Sequence, residues 1–411
     1  MSTPPKPSLH SAAAKVLIGN ALAFNLGFYM VLPYLATHMS QDLGLQAASI
    51  GLVLGLRVFS QQGLFLLGGW LGDVYGYRRT IIVGCAVRTV GFVLLGATHN
   101  LLGLLLGAAL TGLAGALFTP TAQAYLSRLY HDNAARQQAF TWHNWMSEAG
   151  MLLGPLVGLW AGSLGFGVAA LGASALFGAL TLLQWRVLPP DTQTLHHPDN
   201  AILPHLPERT LWRQLLGHKA FWVFSLLAAG YSVLFQQLYL AVPAFLHAHQ
   251  ANATMVTTVF TQTALLSIVL QWPIAKWAAP RMGTPNAMGW GLACMGLAFL
   301  SLLNPLALNL PTMISVMALL FSLGSVLIYP LLSNHVAHYA PAQARARYYG
   351  FFAAVGGIAS LLANVLIGYA LDSNHALPQP SLWWVLGVGA VLAGWALRHH
   401  VALCLQSQAH A

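Results

Sequence analysis

The sequence predicts an all-α polytopic membrane protein with twelve transmembrane helices in two six-helix bundles. Only 6% of its 411 residues are charged and 57% are hydrophobic, whereas a soluble protein needs about a quarter of its residues charged to cover its surface. Apolar stretches of about 20 residues, long enough to cross about 30 Å of hydrocarbon, recur along the chain. Lys and Arg occur almost entirely in alternate connections between these stretches, which is typical of cytoplasmic loops.

Each predicted span is an apolar run bounded by polar, glycine or proline residues. The first run is too long for the apolar region of a signal peptide and lacks a small-residue cleavage site, so we expect it to be retained as a helix. Because the number of spans is even, both termini lie on the same side of the membrane. The predicted spans are residues 16–38, 47–70, 79–98, 101–126, 138–162, 165–188, 220–246, 252–275, 286–304, 310–334, 348–371 and 382–403.

The distribution of cations predicts that both termini are cytoplasmic. With this orientation, 15 of the 17 Lys and Arg residues lie in inner segments and the outer loops hold none. A missed or extra helix would move every later connection to the other side, so the same asymmetry supports the number of spans. Membrane topology then explains the net charge of +9, and no nucleic-acid partner is expected. We expect the protein to lie in the lipid bilayer of a bacterial inner membrane.

The longest polar stretch, residues 189–219, divides the predicted bundles. It is rich in proline and is predicted to be a cytoplasmic linker. Its last part combines Leu211, Trp212 and Leu215 with Arg213, a pattern typical of an amphipathic helix at the membrane interface. The predicted domains are a cytoplasmic N-terminus at 1–15, an N-terminal bundle at 16–188, the linker at 189–219, a C-terminal bundle at 220–403 and a cytoplasmic C-terminus at 404–411.

The two halves show signs of an internal repeat. An offset of 210 residues aligns Tyr29 with Tyr239, and the helix-interior prolines Pro33 and Pro120 with Pro243 and Pro330. Leucine matches are common in apolar sequence, but prolines that recur at one offset in two pairs of helices are harder to attribute to chance. We therefore predict a parallel six-plus-six repeat, an architecture that places a binding site near the bilayer midplane.

The loop between the second and third spans carries a motif. Three glycines permit a tight turn and close helix approach, an aspartate can cap a helix start or pair with a helix dipole, and two arginines anchor the inner surface. The loop resembles the signature loop of the major facilitator superfamily and departs from it at Val74 and Tyr77, where basic residues are usual. The resemblance implies the major facilitator fold, secondary transport by alternating access, and a latching role for the aspartate. The motif residues are Gly69, Gly72, Asp73, Gly76, Arg78 and Arg79.

The fifth span carries a second motif, formed by Gly150, Gly154, Pro155 and Gly158. Glycines at i, i+4 and i+8 form one smooth stripe for close helix packing. The segment resembles the motif of the drug:proton antiporter branch of the same superfamily and departs from it at Leu159. This resemblance implies proton antiport and hence efflux. The arginine often found in the fourth helix of that family is absent, which weakens any coupling role borrowed from it.

Charges within predicted spans are the candidate coupling groups. Glu148 is the one carboxylate of eight that falls within a predicted span, about 15 Å from its inner end at 1.5 Å per residue. Arg57 and Arg88 lie at similar depths, and such charges are costly unless they face the bundle interior or a wet cavity. Glu148 either exchanges a proton during transport, forms a permanent pair with Arg88 or Arg57, or contacts a cationic substrate. His143 is a weaker candidate proton carrier.

A substrate cavity is predicted from polar and aromatic residues inside the spans. Amide and aromatic groups with few charges suit an uncharged or amphipathic small molecule, although each group can instead form a hydrogen bond between helices. The candidate cavity residues are Asn25, Tyr29, Asn144, Gln236, Gln237 and Tyr239.

Other classes of function lack their motifs in this sequence. We find no H-E-x-x-H, G-x-S-x-G or G-x-x-x-x-G-K-[ST] pattern, so we expect neither an enzyme nor a bound metal or cofactor. A passive receptor or scaffold remains an alternative. Among transporters, the alternatives are a broad multidrug exporter, an exporter of one endogenous metabolite such as a siderophore, and an importer. We expect a monomer whose partners are a small-molecule substrate and protons.

Overall fold

The computed structural model describes residues 12–129, 133–189, 208–274, 276, 279–340, 345–372 and 379–409. These residues form helices joined by short turns and contain no strand, which confirms the predicted all-α class. The helices are α1 Ala12–Thr37, α2 Ala47–Gln62, α3 Phe65–Tyr75, α4 Tyr77–Ala97, α5 Leu101–Arg128, α6 Asn133–Gly162, α7 Phe166–Val187, α8 Glu208–Gly217, α9 Lys219–Gln236, α10 Ala241–Ala248, α11 Ala253–Pro273, α12 Ala279–Met282, α13 Thr284–Leu300, α14 Leu310–Tyr339, α15 Arg345–Leu371 and α16 Gln379–Ala409.

Most of the predicted spans correspond to helices that can cross a membrane. Within the described residues, eleven helical segments are long and apolar enough to do so. The remaining predicted span, residues 138–162, lies in α6, which is helical over 30 residues and is therefore about 45 Å long at 1.5 Å per residue. Each predicted span thus contains at least one helix. The chain is a multi-pass membrane protein.

Two predicted spans are not single helices, which corrects the sequence prediction. The second span is interrupted at Gly63, between α2 and α3, and the seventh at residues 237–240, between α9 and α10. Pro243 explains the second interruption because it has no N–H to donate to the carbonyl of Tyr239. The turn uses other bonds, including one of 2.9 Å from the N–H of Val242 to the carbonyl of Gln237.

The amphipathic end of the predicted linker forms α8, as expected from its pattern. Leu215 is buried, whereas Trp212 and Leu216 are exposed. Residues 190–207, which make up most of the predicted linker, lie outside the described residues, as do residues 1–11 and 410–411. The linker itself therefore stays a prediction.

The chain forms two compact units. The first comprises Met1–Leu32 and Leu64–Leu203. Its helices α4, α5 and α7 pack together, and α1 joins them through Phe24, whose ring stacks on that of Phe118 with centroids 4.3 Å apart. The inner part of this core holds the buried side chains of Tyr77, Cys85 and Tyr125.

The second compact unit comprises Pro33–Gly63 and Pro204–Ala411. Within it α2 packs along α15, because α2 presents glycines to that helix. A Cβ atom added at Gly51 would collide with the carbonyl oxygen of Asn364, and one at Gly55 would lie 2.8 Å from Leu361 Cδ1. Backbone approach this close is possible only where side chains are absent. The predicted six-plus-six repeat is not tested by this division and stays a prediction.

Candidate transport site

The signature loop is a sharp turn between two helices of the first unit. Helix α3 ends at Tyr75 and α4 begins at Tyr77, so Gly76 alone reverses the chain with φ +97° and ψ +145°. This backbone conformation is essentially restricted to glycine. The predicted tight turn is therefore present at Gly76.

The rest of the loop fixes α3 and α4 to their neighbours. A Cβ atom at Gly72 would collide with the methyl group of Thr121 on α5. A Cβ atom at Gly68, one turn earlier, would collide with the carbonyl of Ala116 in the same way. This glycine was not among the predicted loop residues, although its i, i+4 spacing to Gly72 was a usable signal.

Arg78 connects the loop to α7. It donates a hydrogen bond of 2.5 Å to the carbonyl of Trp185 in the last turn of that helix, where a cation is favourable. The side chain of Asp73 lies outside the described residues.

Gly76→Ala is expected to lower the free energy of unfolding by about 1 to 3 kcal/mol, because the substituted residue must keep a backbone conformation that L-residues avoid. Gly69→Ala is the matched control, since the nearest atom to a Cβ there is Pro120 Cβ at 4.0 Å. Thermal unfolding of the two purified variants measures the difference. Equal midpoints for both would show that the turn at Gly76 imposes no conformational requirement.

The fifth-span motif packs α6 against α1 within the first unit. A Cβ atom at Gly150 would collide with the carbonyl oxygen of Leu22 and lie 2.9 Å from Asn25 Cβ, and one at Gly154 would lie 2.5 Å from Tyr29 Cβ. The predicted glycine stripe therefore contacts the face of α1 that carries two of the predicted cavity residues. Asn25 also donates a hydrogen bond of 2.9 Å to the carbonyl of Ala21 in its own helix.

Glu148 lies on α6, two residues before Gly150. Its side chain is half-buried, and its Oε2 atom is fully buried without a hydrogen-bond partner among the described residues. Asn144, one helical turn earlier and on the same face, is exposed. His143 lies on a different side of the helix, where its ring packs edge-on against Phe140 at 6.5 Å.

Glu148 forms no ion pair with the described residues. The structure therefore does not bring Glu148 together with Arg88, which was one of the alternatives for this carboxylate. The role of Glu148 in transport stays a prediction.

Arg88 is enclosed by aromatic rings. It is 1% exposed, and its guanidinium carbon lies 3.6 Å from the ring centroid of Phe24 and 5.1 Å from that of Phe177. Phe28 and Phe92 lie at 5.4 and 6.0 Å. Stacking on ring faces stabilises a guanidinium group that has lost its water. Arg88 is thus held by α1, its own helix α4, and α7.

Arg88→Met is expected to leave the free energy of unfolding within about 1 kcal/mol of the wild-type value. The lost cation–ring attraction, about 2 kcal/mol for a desolvated pair, is offset by the removal of a buried charge that costs about 2.5 to 3.5 kcal/mol. Arg88→Ala should instead lower it by about 2 to 5 kcal/mol, because it leaves a cavity between the rings. Denaturant unfolding in detergent compares them. If Met is as destabilising as Ala, the charge itself holds this core together.

Arg57 occupies a different environment in the second unit. It is 5% exposed and donates a hydrogen bond of 3.0 Å from Nη1 to Gln61 Oε1, one turn later on α2. The two arginines within predicted spans are therefore both buried, but one lies among rings and the other beside an amide.

Three predicted cavity residues lie at the interruption between α9 and α10. Gln236, Gln237 and Tyr239 are all buried. Gln237 donates hydrogen bonds of 3.0 Å to the carbonyl of Val233 and 3.1 Å to the side chain of Asn364 on α15, while its own Oε1 atom is buried without a hydrogen-bond partner in the described residues. Broken helices with free polar groups at membrane depth are typical of transporter binding sites.

The second unit also contains a cavity of about 320 Å³ at the predicted outer ends of its helices. It lies between the end of α10, the turn after α13 and the start of α16, and the predicted cavity residues do not line it. Its walls include Phe245, His249, Asn304, Met313 and Trp383.

The candidate residues thus form separate groups. Asn25 and Tyr29 meet the glycines of α6, and Gln236, Gln237 and Tyr239 share one broken helix. The phenylalanine rings around Arg88 were not predicted. The sequence carried a signal for them, because Phe24 and Phe28 share one helix face at i, i+4 spacing, and Arg88 and Phe92 share another.

Comparison with known proteins identifies the family of the chain. The profile of the Major Facilitator Superfamily matches residues 17–364 and 238–401. An uncharacterized MFS-type transporter of Mycobacterium tuberculosis is 32% identical over 389 residues, covering 93% of this chain and 90% of the relative. The multidrug resistance protein MdtH of Salmonella typhi is 31% identical over 400 residues, covering 93% of this chain and 94% of the relative.

Solved structures show the same fold at low sequence identity. The POT family transporter PepTSo aligns with a TM-score of 0.78 at 16% identity, covering 96% of this chain and 98% of that one. An auto-inhibited POT family peptide transporter aligns with a TM-score of 0.76 at 18% identity, covering 95% and 96%. The family profile and the two relatives confirm the resemblance first indicated by the loop after the second span. The chain belongs to the Major Facilitator Superfamily of transporters.

Proposed function

We propose that this transporter exports small amphipathic molecules, including drugs, in exchange for protons by alternating access. The observation that carries the proposal is Glu148, a carboxylate within a predicted span whose Oε2 atom is buried without a hydrogen-bond partner among the described residues. We place the protein in the bacterial inner membrane with both termini cytoplasmic, and we propose that it acts as a monomer.

Glu148 suits a proton carrier because of where it lies. A carboxylate at this depth is costly as an anion unless water or a cation reaches it. A change in helix packing that admits water stabilises the charged form and releases the proton, whereas closure favours the neutral form. Its neighbour Gly150 rests directly on the backbone of α1, so a small movement of α1 alters the surroundings of the carboxylate.

The direction of transport follows from the fifth-span motif. The glycines at positions 150 and 154 pack α6 closely on α1, and close packing of this kind opposes proton leak along the helix pair. In the antiporter branch that this motif resembles, proton entry drives export. MdtH, a relative named for multidrug resistance, supports the same direction.

The predicted cavity groups favour an amphipathic substrate without a strong positive charge. They consist of amides and tyrosines, and Glu148 is the single carboxylate in the predicted spans. Groups of these kinds can hydrogen-bond a neutral polar group and pack on an apolar body, but offer little to balance a cation. The same observation keeps an exporter of an endogenous metabolite, such as a siderophore, as the second candidate.

The test uses proteoliposomes that contain the purified protein and an imposed pH gradient. We expect efflux of a neutral amphipathic dye to accelerate when protons flow in the opposite direction, and addition of the dye to dissipate the gradient. Liposomes without protein and liposomes with collapsed gradients are the controls. Dye movement that is indifferent to the gradient would contradict proton coupling.

A second measurement identifies the substrate class. Intracellular retention is compared in a deletion strain and its complemented parent, for a panel of neutral drugs, cationic drugs and the siderophores that the strain makes. Retention of neutral drugs supports a broad exporter, and retention of a siderophore alone supports the metabolite exporter. If only cationic drugs are retained, the substrate class inferred from the cavity residues is wrong.

A further inference from the structure

Four histidines gather where the predicted cytoplasmic ends of α9, α14, α15 and α16 meet in the second unit. We call the group formed by His218, His335, His338 and His400 the inner histidine cluster. His218 Nδ1 lies 3.1 Å from the hydroxyl of Tyr348. His400 Nε2 lies 2.9 Å from the carbonyl of Ala220. These two contacts connect the start of α9 to α15 and to α16.

His335 is the most enclosed member of the cluster. It is 4% exposed, and its ring lies 5.1 Å from Phe224, 5.2 Å from Tyr339 and 5.3 Å from His338. Its Nε2 atom is buried without a hydrogen-bond partner among the described residues. A neutral imidazole fits this ring packing, whereas an imidazolium would bring an uncompensated charge into it.

Aromatic rings complete the contacts between these helix ends. Phe221 packs on Tyr348 at 4.6 Å and on Tyr339 at 5.5 Å, and His218 packs on Tyr339 at 5.5 Å. All of these rings except that of His218 are buried. The helix ends are thus joined largely by packed rings.

Among the side chains that the structure describes, no carboxylate balances a proton on the cluster. Within the described residues none of its histidines forms an ion pair, and the other titratable groups at these helix ends are basic or neutral. Each added proton therefore meets positive or neutral neighbours. Those that the structure describes are Lys219 on α9, Tyr339 on α14, Arg347, Tyr348 and Tyr349 on α15, and Arg398, His399 and Cys404 on α16.

We propose that the inner histidine cluster is a proton-sensitive lock on the second unit, which holds the inner ends of α9, α14, α15 and α16 together at neutral pH and loosens when the compartment it faces becomes acidic. The lock is separate from Glu148 and from the coupling step. By the predicted orientation that compartment is the cytoplasm. A carrier that admits protons in exchange for its substrate would then slow down as the cytoplasm acidifies.

The sign of the effect follows from the environment of His218. Burial lowers the pKa of His218 below its usual value of 6.5. The unfolded chain therefore binds this proton more readily than the folded chain. The stability contributed by the neutral histidine is fully present above about pH 6.5 and decreases as the pH falls below that value.

The decisive experiment measures thermal unfolding of the purified full chain between pH 8 and pH 5. We expect the wild-type midpoint to fall below about pH 6.5, and His335→Phe, which keeps a ring between Phe224 and Tyr339, to reduce that fall by about half or more. His99→Gln is the control, because His99 is exposed and lies in the other unit. A fall of the same size in His335→Phe and wild type, or no fall in wild type, overturns the proposal.

A second measurement, on the wild-type protein, tests the proposal if His335→Phe does not fold. Hydrogen exchange of the wild-type protein, corrected for the intrinsic effect of pH, should show lower protection in peptides covering His218 and residues 335–340 at pH 5.5 than at pH 7.5. Unchanged local protection overturns the lock. Glu148→Gln should retain the whole pH effect on unfolding, so failure of the coupling proposal and failure of the lock are distinguishable.

Discussion

Glu148→Gln is expected to reduce pH-driven efflux to the rate that the wild type shows with the gradient collapsed, while the variant folds normally. Gln keeps the size and hydrogen-bonding capacity of the side chain but cannot carry a proton. Because no other carboxylate lies in a predicted span, no neighbouring acid can take over its function. The assay is dye efflux from proteoliposomes under an imposed pH gradient.

The same variant should still exchange substrate across the membrane in the absence of a pH gradient. A permanently neutral side chain removes the link between proton movement and the conformational cycle, but leaves the predicted cavity residues on α1 and α9 intact. His143→Gln on the same helix is the matched control and should retain gradient-driven efflux. Wild-type efflux and pH dependence in Glu148→Gln would exclude this carboxylate as the coupling group, and loss of efflux in His143→Gln would transfer the role to the histidine.

Gly150→Ala is expected to lower the free energy of unfolding by about 1 to 3 kcal/mol, the usual cost of overpacking, and to reduce transport of every substrate. The new Cβ atom would meet the carbonyl of Leu22 and the amide of Leu26. Both are backbone groups that cannot move aside as a side chain can. Helices α1 and α6 must therefore separate, which disturbs Asn25 and Glu148 together. Thermal unfolding and dye efflux measure the two effects.

Gly162→Ala provides the control on the same helix. A Cβ atom at Gly162 has no neighbour within 4 Å, and alanine has a higher helix propensity than glycine. We expect this variant to be as stable as the wild type or slightly more stable. If the two substitutions prove equally harmless, α1 and α6 are not packed through Gly150 in the working protein.

The positions of the helices could be predicted from the sequence because hydropathy reports directly on burial in lipid. The interruptions in the second and seventh spans could not, because an apolar run has the same hydropathy whether or not its backbone is continuous. Pro243 carried a usable signal for the seventh span, since a proline removes the hydrogen bond to the residue four positions earlier. Pro33, at the equivalent position of the predicted repeat, lies inside a continuous α1, so the proline alone does not determine a break.

The partners of the buried charges were harder to predict than their depth. Charge pairing was the natural expectation for Arg88, but the rotation of α1 and α7 brings Phe24 and Phe177 to the guanidinium group instead. Helix rotation depends on packing between distant segments, which one sequence does not report. The glycines of α6 could be predicted as a packing face, whereas their contact with α1 could not.

The contact of α2 with α15 has a consequence for synthesis of the chain. Gly51 and Gly55 emerge from the ribosome about 300 residues before α15, the helix that covers them. Their glycine face therefore remains uncovered through most of translation. A chain truncated before Arg345 would leave this face of α2 open to lipid or to quality-control proteases. Nascent chains arrested at increasing lengths should therefore gain protease resistance in the segment 47–63 only after residues 345–371 have been inserted.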